Sequence, residues 1–440
     1  LANNWKQLPR GKALMIIEDV FDNEAYSNIS LNNQLSNKSL NDKDKSLITE
    51  IVYGTVSRKI TLEWYLSFYI KDREKIEKWV YYLLMLSLYQ LLYLDKVPAH
   101  GIVNEAVTIA KNRGNKRGAE KYVNAILRQL AVAELPKIDQ IKRKNKRYSV
   151  TYSLPIWLVK KLIDQFGEEA ALNIMDSLYQ PSKASIRVNN LSKYDTIRQD
   201  LKADKSQIAS SALTKSSGYF AANPYFTNGD ITIQDETSQL VAPTLSIQEE
   251  DIILDACSAP GGKTVHMASY LRTGKVIAMD IYDHKLDLVK ENARRLGLSD
   301  KIETKKCDAR KTHQHFPADS FDKILVDAPC SGIGLIRRKP DLKYKKDIAD
   351  LMQLQEIQLE ILSSVCQTVR KGGIITYSTC TIFDEENFQV IENFLASHSN
   401  FEQVILTHPQ ADIVKKGCLL ITPEQYQTDG FFISQIRRVL

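Results

Sequence analysis

Long apolar runs are missing from this 440-residue chain. No stretch approaches the roughly 18 consecutive apolar residues that a membrane span needs, and no basic-then-apolar secretory leader opens it. Cysteine is scarce: six in all, at 257, 307, 330, 366, 380 and 418. None forms a CxxC pair and no Cys/His cluster has zinc spacing, so no metal site is expected. Scattered thiols without a leader predict a reduced, cytoplasmic protein. GxGxxG is absent, which disfavours a dinucleotide dehydrogenase. There is no internal repeat and no low-complexity tract. What is present is an ordinary globular composition, 43% hydrophobic and 25% charged, in a length that suits two or three domains.

The net charge of +6 is unevenly spread. Residues 1 to 110 balance, with 13 basic and 13 acidic side chains, whereas 111 to 147 hold 12 basic and three acidic ones. The positive excess is thus one patch, from KNRGNKRGAEK through DQIKRKNKRYS. Such a density suits a polyanion, because each Lys or Arg near a phosphate releases condensed counterions.

Periodicity divides the chain into three. Residues 1–135 read as helices. In GKALMIIEDVFD, Leu14, Ile17 and Phe21 share a face. Asn41 or Asp42 can cap the helix that follows. WVYYLLMLSLYQLLYL, 79 to 94, is apolar nearly all round and should be the central helix of a bundle. The Asn- and Ser-rich piece 27 to 43 reads as a loop. Residues 136–245 form a small α+β module: LPIWLVKKLIDQFG is a helix bounded by Pro and Gly, KASIRVNN alternates as a strand, and ITIQDETSQLVAPTL is a strand entering a helix. Residues 246–440 repeat strand, turn and helix, which predicts a doubly wound, mostly parallel sheet. Asp255, Asp280, Asp308 and Asp327 all fall at or near the carboxyl ends of its strands, where such folds bind ligands.

Four stretches could carry chemistry. DACSAPGGKT, 255 to 264, is a strand running through a glycine turn into a helix. Its glycines let backbone approach a ligand, yet it is no P-loop, because Cys257 stands where glycine is needed. Asp280, ending the next strand, has the usual position of an acceptor for ribose hydroxyls. Together they suggest an adenosine-containing ligand. CDAR, 307 to 310, offers Asp308 as an acceptor for an adenine amino group, or simply as a helix cap. DAPCSG and YSTCT then place Cys330 and Cys380 at the ends of neighbouring strands. Cys380 precedes TIFDEENFQVIENFL, a predicted helix whose dipole would favour a thiolate. Read alone, the Pro–Cys pair makes Cys330 the nucleophile.

At these residues the chain resembles the RNA (cytosine-5-)-methyltransferases of the NOL1/NOP2/Sun class. DACSAPGGKT, DAPCSG and YSTCT look like that family's cofactor-loop, fourth-strand and fifth-strand motifs, in order; GLIRRKPDLK and the closing DGFF also match. Ser258, where Ala is common, is the only departure. The stretch with VPAHGIVNEAVTIAK and KYVNAILRQL resembles the all-helical NusB antitermination domain. The whole is similar to the bacterial Sun/Fmu enzymes that methylate one cytosine of 16S ribosomal RNA. The implied architecture is multidomain: a NusB-like all-α bundle, a small α+β linking module and a Rossmann-like α/β methyltransferase domain.

The resemblance implies S-adenosylmethionine as cofactor and 16S ribosomal RNA as partner, for a protein acting as a monomer away from membranes. Cys257, Ser258, Ala259, Pro260, Gly261, Gly262 and Lys263 would line the methionine and ribose. Asp280 would take the ribose hydroxyls and Asp308 the adenine edge. Asp327 would sit near the sulfonium and the target base. It also reverses the order of the sulfurs: Cys380 is the nucleophile and Cys330 assists release. Competing readings are cytosine-5 methylation of tRNA or 23S rRNA, a DNA or protein methyltransferase on the same sheet, and an RNA-binding factor without turnover.

Overall fold

A computed structural model of the protein describes residues 5–35, 40–114, 118–216, 218 and 220–439. They form two compact units: one reaches residue 171 and takes in a returning segment, 339–345; the other comprises 172–338 and 346–440.

The first unit is helical: α1 (Pro9–Asp22), α2 (Ser27–Leu35), α3 (Asp42–Ser57), α4 (Lys59–Leu66), α5 (Lys78–Tyr93), α6 (Ala99–Arg113), α7 (Ala119–Val132), α8 (Lys144–Thr151) and α9 (Ile156–Phe166). Every residue of α5 from Trp79 to Gln90 is buried. A helix apolar all round is stable only when other helices cover every side, and α1, α3, α4, α6 and α7 do so here. Asn41 is the cap of α3: its side-chain oxygen accepts the Asp44 N–H at 2.8 Å. Gly167 ends α9 with φ +78°.

Two expectations change. Residues 27–35 are helical, not a loop; 36–39 lie outside the described residues. Ser and Asn disfavour helix because they bond nearby backbone. Here tertiary partners take those side chains instead. The Ser27 hydroxyl donates to Asp341, the Ser30 hydroxyl to Asp19, and Leu31 enters the core. In the basic patch, Asn115, Lys116 and Arg117 also lie outside the described residues, and Arg113 serves packing. Its guanidinium holds Glu18 through two bonds of 2.6 Å and lies over the rings of Trp5 and Trp79. Lys121, Arg128, Lys137, Lys142, Arg143 and Lys146 are exposed.

The second unit holds two sheets. The smaller is antiparallel, in order β2 (Asp204–Lys205), β3 (Ala212–Lys215), β1 (Ala184–Val188) and β4 (Ile231–Ile233). The larger has nine strands. Five are parallel, in order β9 (Val369–Thr379), β8 (Phe321–Asp327), β5 (Ile252–Asp255), β6 (Lys275–Asp280) and β7 (Ile302–Lys306). The chain's last strands extend this sheet antiparallel. β13 (Phe431–Arg438) pairs with β9, while β10 (Phe401–Val404) and β12 (Cys418–Ile421) each take part of the other edge of β13. β11 (Val414–Lys415) finishes the sheet beside β12. The chain leaves β5 towards β6 and β7, then returns to β5's other side as β8. At such a reversal the loops diverge, and a crevice opens beyond the carboxyl ends of β5 and β8.

Candidate active site

The crevice is a cavity of about 310 Å³ lined by most of the loop between Asp255 and Lys263, by Asp327, Cys380, Asp429 and Phe431, and by residues on either side of Glu236. Of the residues singled out from the sequence, Asp255, Cys257, Ser258, Ala259, Pro260, Gly262, Lys263, Asp327 and Cys380 line it, whereas Gly261, Cys330, Asp280 and Asp308 do not.

The loop is fixed from below. The Ser258 hydroxyl donates to the Met279 carbonyl at 2.9 Å, and the Asn292 amide to that of Pro260 at 2.9 Å. Gly261 has φ +102°, and a Cβ there would come 3.0 Å from the Val289 Cα, so only glycine fits. A Cβ at Gly262 would meet nothing within 4 Å. Buried Arg187 donates to the Gly262 carbonyl at 3.1 Å. Burial pulls this guanidinium down to about 9.

The acids behave differently from one another. Asp255 is 1% exposed and accepts from the Thr264 hydroxyl at 2.7 Å, while its Oδ1 has no hydrogen-bond partner. Burial pushes its carboxyl up to about 7. Asp280 accepts the Tyr282 N–H at 3.1 Å and lies 4.0 Å from Lys285 Nζ. Asp308 caps the turn Ala309–Lys311 and grips Arg310 Nη2 at 2.8 Å, which holds its carboxyl below the usual range. All four strand-end carboxylates act on Cys257: burial first, then Asp255, Asp327, Asp280 and Asp308, drive its thiol well above the usual range. Cys257 is therefore a neutral lining group in a pocket whose walls favour a cation.

The raised carboxyl has a consequence for stability. Unfolded, Asp255 ionises near 3.8, while in the native protein it keeps its proton to about 7. The unfolded state thus releases a proton that the native state holds, and stability falls as pH rises through that window. Asp255→Asn is expected to flatten that fall, read as a smaller loss of Tm between pH 4 and pH 7 than in the unsubstituted protein. Parallel curves would show that Asp255 is not the group responsible.

Of the two expected thiols, Cys380 lines the crevice and Cys330 lies behind it, in contact with Cys380. Cys330 Sγ and Cys380 Sγ are 3.0 Å apart, much further than the roughly 2.05 Å of a disulfide, and both are free. A hydrogen bond with Cys380, then burial, push the Cys330 thiol well above its ordinary range. The helix expected directly after Cys380 begins only at Phe388, following a short turn at Asp384–Glu386. Its N-terminal dipole is not what adjoins the sulfur. The cation nearby is Lys263. Its Nζ lies 2.7 Å from Asp327 Oδ2, and the Ser378 hydroxyl donates to Asp327 Oδ1 at 2.7 Å. Burial lowers the Lys263 ammonium, but Asp327 outweighs it, and the net shift is upward.

Three further groups were not legible from motif spacing. Arg338 bridges Asp235 (2.6 Å) and Asp429 (2.8 Å), two carboxylates of the cavity wall. Glu386 is fully buried behind the cysteine loops. Gly334 donates its N–H to the Cys380 carbonyl at 3.0 Å and accepts from Gly430 at 2.9 Å. A Cβ on Gly334 would fall 2.1 Å from the Gly430 oxygen and 2.8 Å from the Cys380 oxygen. Both contacts are rigid backbone, so Gly334→Ala is expected to destabilise by about 1–3 kcal/mol and to displace Cys380, measured as a lowered urea midpoint. An unchanged midpoint would mean that the loop has room to shift.

Fold and crevice together define a Rossmann-like methyltransferase domain joined to a NusB-like helical domain. Residues 242–437 match the family "16S rRNA methyltransferase RsmB/F" and residues 7–132 the NusB family. The "Probable ribosomal RNA small subunit methyltransferase B" of Bacillus subtilis is 41% identical over 98% of both chains. The "Ribosomal RNA small subunit methyltransferase B" of Proteus mirabilis is 34% identical over 91% of this chain and 92% of its own. The crystal structure of PH0851 superposes with a TM-score of 0.83 at 22% identity, covering 98% of this chain and 99% of that one. NSun6 from Pyrococcus horikoshii, solved with SFG, gives 0.57 at 22% identity over 65% of this chain and 98% of its own. The chain belongs to the RsmB/F family of 16S rRNA methyltransferases. Among the described residues no helix is long and apolar enough to cross a membrane, and no cluster of side chains could hold a metal ion.

Proposed function

We propose that the protein transfers a methyl group from S-adenosylmethionine to carbon 5 of one cytosine in 16S ribosomal RNA, through a covalent bond between Cys380 and that base. The observation that carries this reading is the pair of sulfurs 3.0 Å apart, of which Cys380, beside Lys263 and Asp327, lines the cavity.

The residues present fit the cofactor. Its sulfonium and ammonium are cationic, and the pocket offers an orphaned Asp255 oxygen among four carboxylates. Open space at Gly262 lets a ligand approach the backbone. Asp280 would hold ribose hydroxyls and Asp308 the adenine edge, with residues 257–263 along the methionine and ribose. When bound, the cofactor supplies an electrophilic methyl group.

Carbon 5 of cytosine is a poor nucleophile. Addition of the Cys380 thiolate to carbon 6 breaks the 5,6 double bond and makes the ring an enamine, whose carbon 5 can take the methyl group. Asp327, or Lys263 bonded to it, can hydrogen-bond the N3 and N4 edge and favour that addition. The carbon-5 proton then leaves to a base, its electron pair restores the double bond, and the Cys380 thiolate departs. Cys330, kept protonated, is placed to hydrogen-bond the departing sulfur. A base attacked on one face and methylated at its ring carbon must be unstacked, which favours a single-stranded or looped target. The exposed cations between Lys121 and Arg147 would hold flanking phosphates.

The deciding experiment is base-resolved mapping of 5-methylcytosine in undermodified 16S RNA, with and without protein and cofactor. One new 5-methylcytosine is expected; none, or one appearing only in another RNA, overturns the reading.

A further inference from the structure

Ser331 follows Cys330 and Thr381 follows Cys380, and both side chains turn away from the cavity towards one buried group. That group is Glu386. Its Oε1 accepts the Ser331 backbone N–H at 2.7 Å and the Gln358 amide at 3.3 Å; its Oε2 accepts the Ser331 hydroxyl at 2.5 Å. The Thr381 hydroxyl is a further donor to it and lies 3.0 Å from that of Ser331. Gln358 also donates to the Pro329 carbonyl at 2.9 Å, so the residues on both sides of Cys330 are held. The backbone of Glu386 is anchored in turn, its carbonyl accepting the hydroxyl of buried Tyr377 at 2.7 Å.

The Ser331 N–H and the Gln358 amide group can only donate, and with the two hydroxyls they give an ionised acid donors for both oxygens, which offsets part of the burial that pushes this carboxyl above its ordinary range. A buried carboxylate in this position is costly to retain unless every lone pair is used. A packing role alone would be met by an apolar side chain. What an apolar side chain cannot do is tie two separate loops to one point, each at the residue next to a sulfur.

We propose that Glu386 is a positioning residue that sets the spacing of the two thiols, by binding with one carboxylate the residue that follows each cysteine. It touches neither base nor cofactor. Its negative charge also acts on Cys330, adding to the hydrogen bond and burial that keep that thiol protonated. The inference rests on the cysteine chemistry proposed above, but part of its test does not.

The test uses the full-length protein with Glu386→Gln, which keeps the shape while losing the charge and one acceptor. Two readouts are taken. In methyl transfer to 16S RNA, kcat is expected to fall about tenfold or more, since misplacement by a fraction of an ångström to 1 Å can cost up to ~10²-fold, with KM for RNA within twofold. Separately, iodoacetamide labelling of Cys330 in a Cys380→Ala background is expected to move to lower pH when E386Q is added. The second readout needs neither RNA nor cofactor, so it still decides the matter if the unsubstituted protein fails to methylate. A kcat within twofold of the unsubstituted protein, a change confined to KM, or an unmoved labelling profile overturns the proposal. Should E386Q lose its cooperative melt, Ser331→Ala removes only the hydroxyl half of the grip; a smaller fall in kcat supports the proposal and an unchanged kcat overturns it.

Discussion

Cys380→Ala is expected to abolish methyl transfer, by about 10³-fold or more as when other enzymes lose their nucleophile, and to leave no RNA bound covalently after denaturation. Cys330→Ala should give a different defect. Addition and methylation proceed, but the sulfur 3.0 Å away no longer helps Cys380 to leave, so protein accumulates on RNA as a band that survives denaturing electrophoresis. The reasoning is electrostatic as well as geometric. Cys330 is the thiol whose ionisation is suppressed, by its bond with Cys380, by burial and by the Glu386 charge, and Cys380 is the one that lines the cavity. A neutral, recessed thiol suits a hydrogen-bond donor better than an attacking group. Adduct in the Cys380 variant and none in the Cys330 variant would exchange the two roles.

Lys263→Met is expected to lower single-turnover methyl transfer by about 10²–10³-fold, the usual cost of removing one preorganised charge from a closed site. The side chain keeps its length and apolar stem, so packing against Phe431 is largely retained, whereas the ammonium lies 5.2 Å above that ring. What goes is the partner of Asp327, 2.7 Å away. Asp255 loses the same cation, which opposes the effect of the Asp327 charge on it, so its already raised carboxyl is expected to rise further. Asp327 would also lose one of the two contacts that orient its carboxylate, keeping only the Ser378 hydroxyl. Transfer within threefold of the unsubstituted protein would remove Lys263 from the chemistry and leave it a lining residue of the loop.

The parts of this site that could be read from sequence are those written into single strand ends. A carboxylate closing an apolar run, or a glycine turn before a helix, announces itself locally, and so did Asp255, Asp327, Gly261 and both cysteines. The parts that escaped depend on partners distant in sequence. Glu386 sits in DEEN, which reads as the acidic first turn of a helix; its meaning lies in Ser331, 55 residues earlier. Gly334 matters only because Gly430 and Cys380 press on it. Residues 27–35 have the composition of a loop and become helix because Asp19 and Asp341 satisfy their hydroxyls. The antiparallel direction of the last strands was equally hidden, since periodicity reveals that a segment is a strand but not which way its neighbour runs.

The returning segment 339–345 changes what counts as a separable piece of this protein. Between Cys330 and Cys380 the chain leaves the unit that contains both, contributes Pro340–Tyr344 to the helical unit, and goes back. There Lys343 donates to the Ser57 carbonyl at 2.8 Å and the Tyr344 hydroxyl to that of Val56 at 3.0 Å, closing the C-terminal end of α3. A gene fragment ending at residue 171 therefore encodes a helical unit with a piece missing, and one starting at 172 carries seven residues whose proper neighbours have been cut away. In evolutionary terms the two halves are stitched rather than strung: exchanging one for a homologue requires changing sequence inside the catalytic half as well.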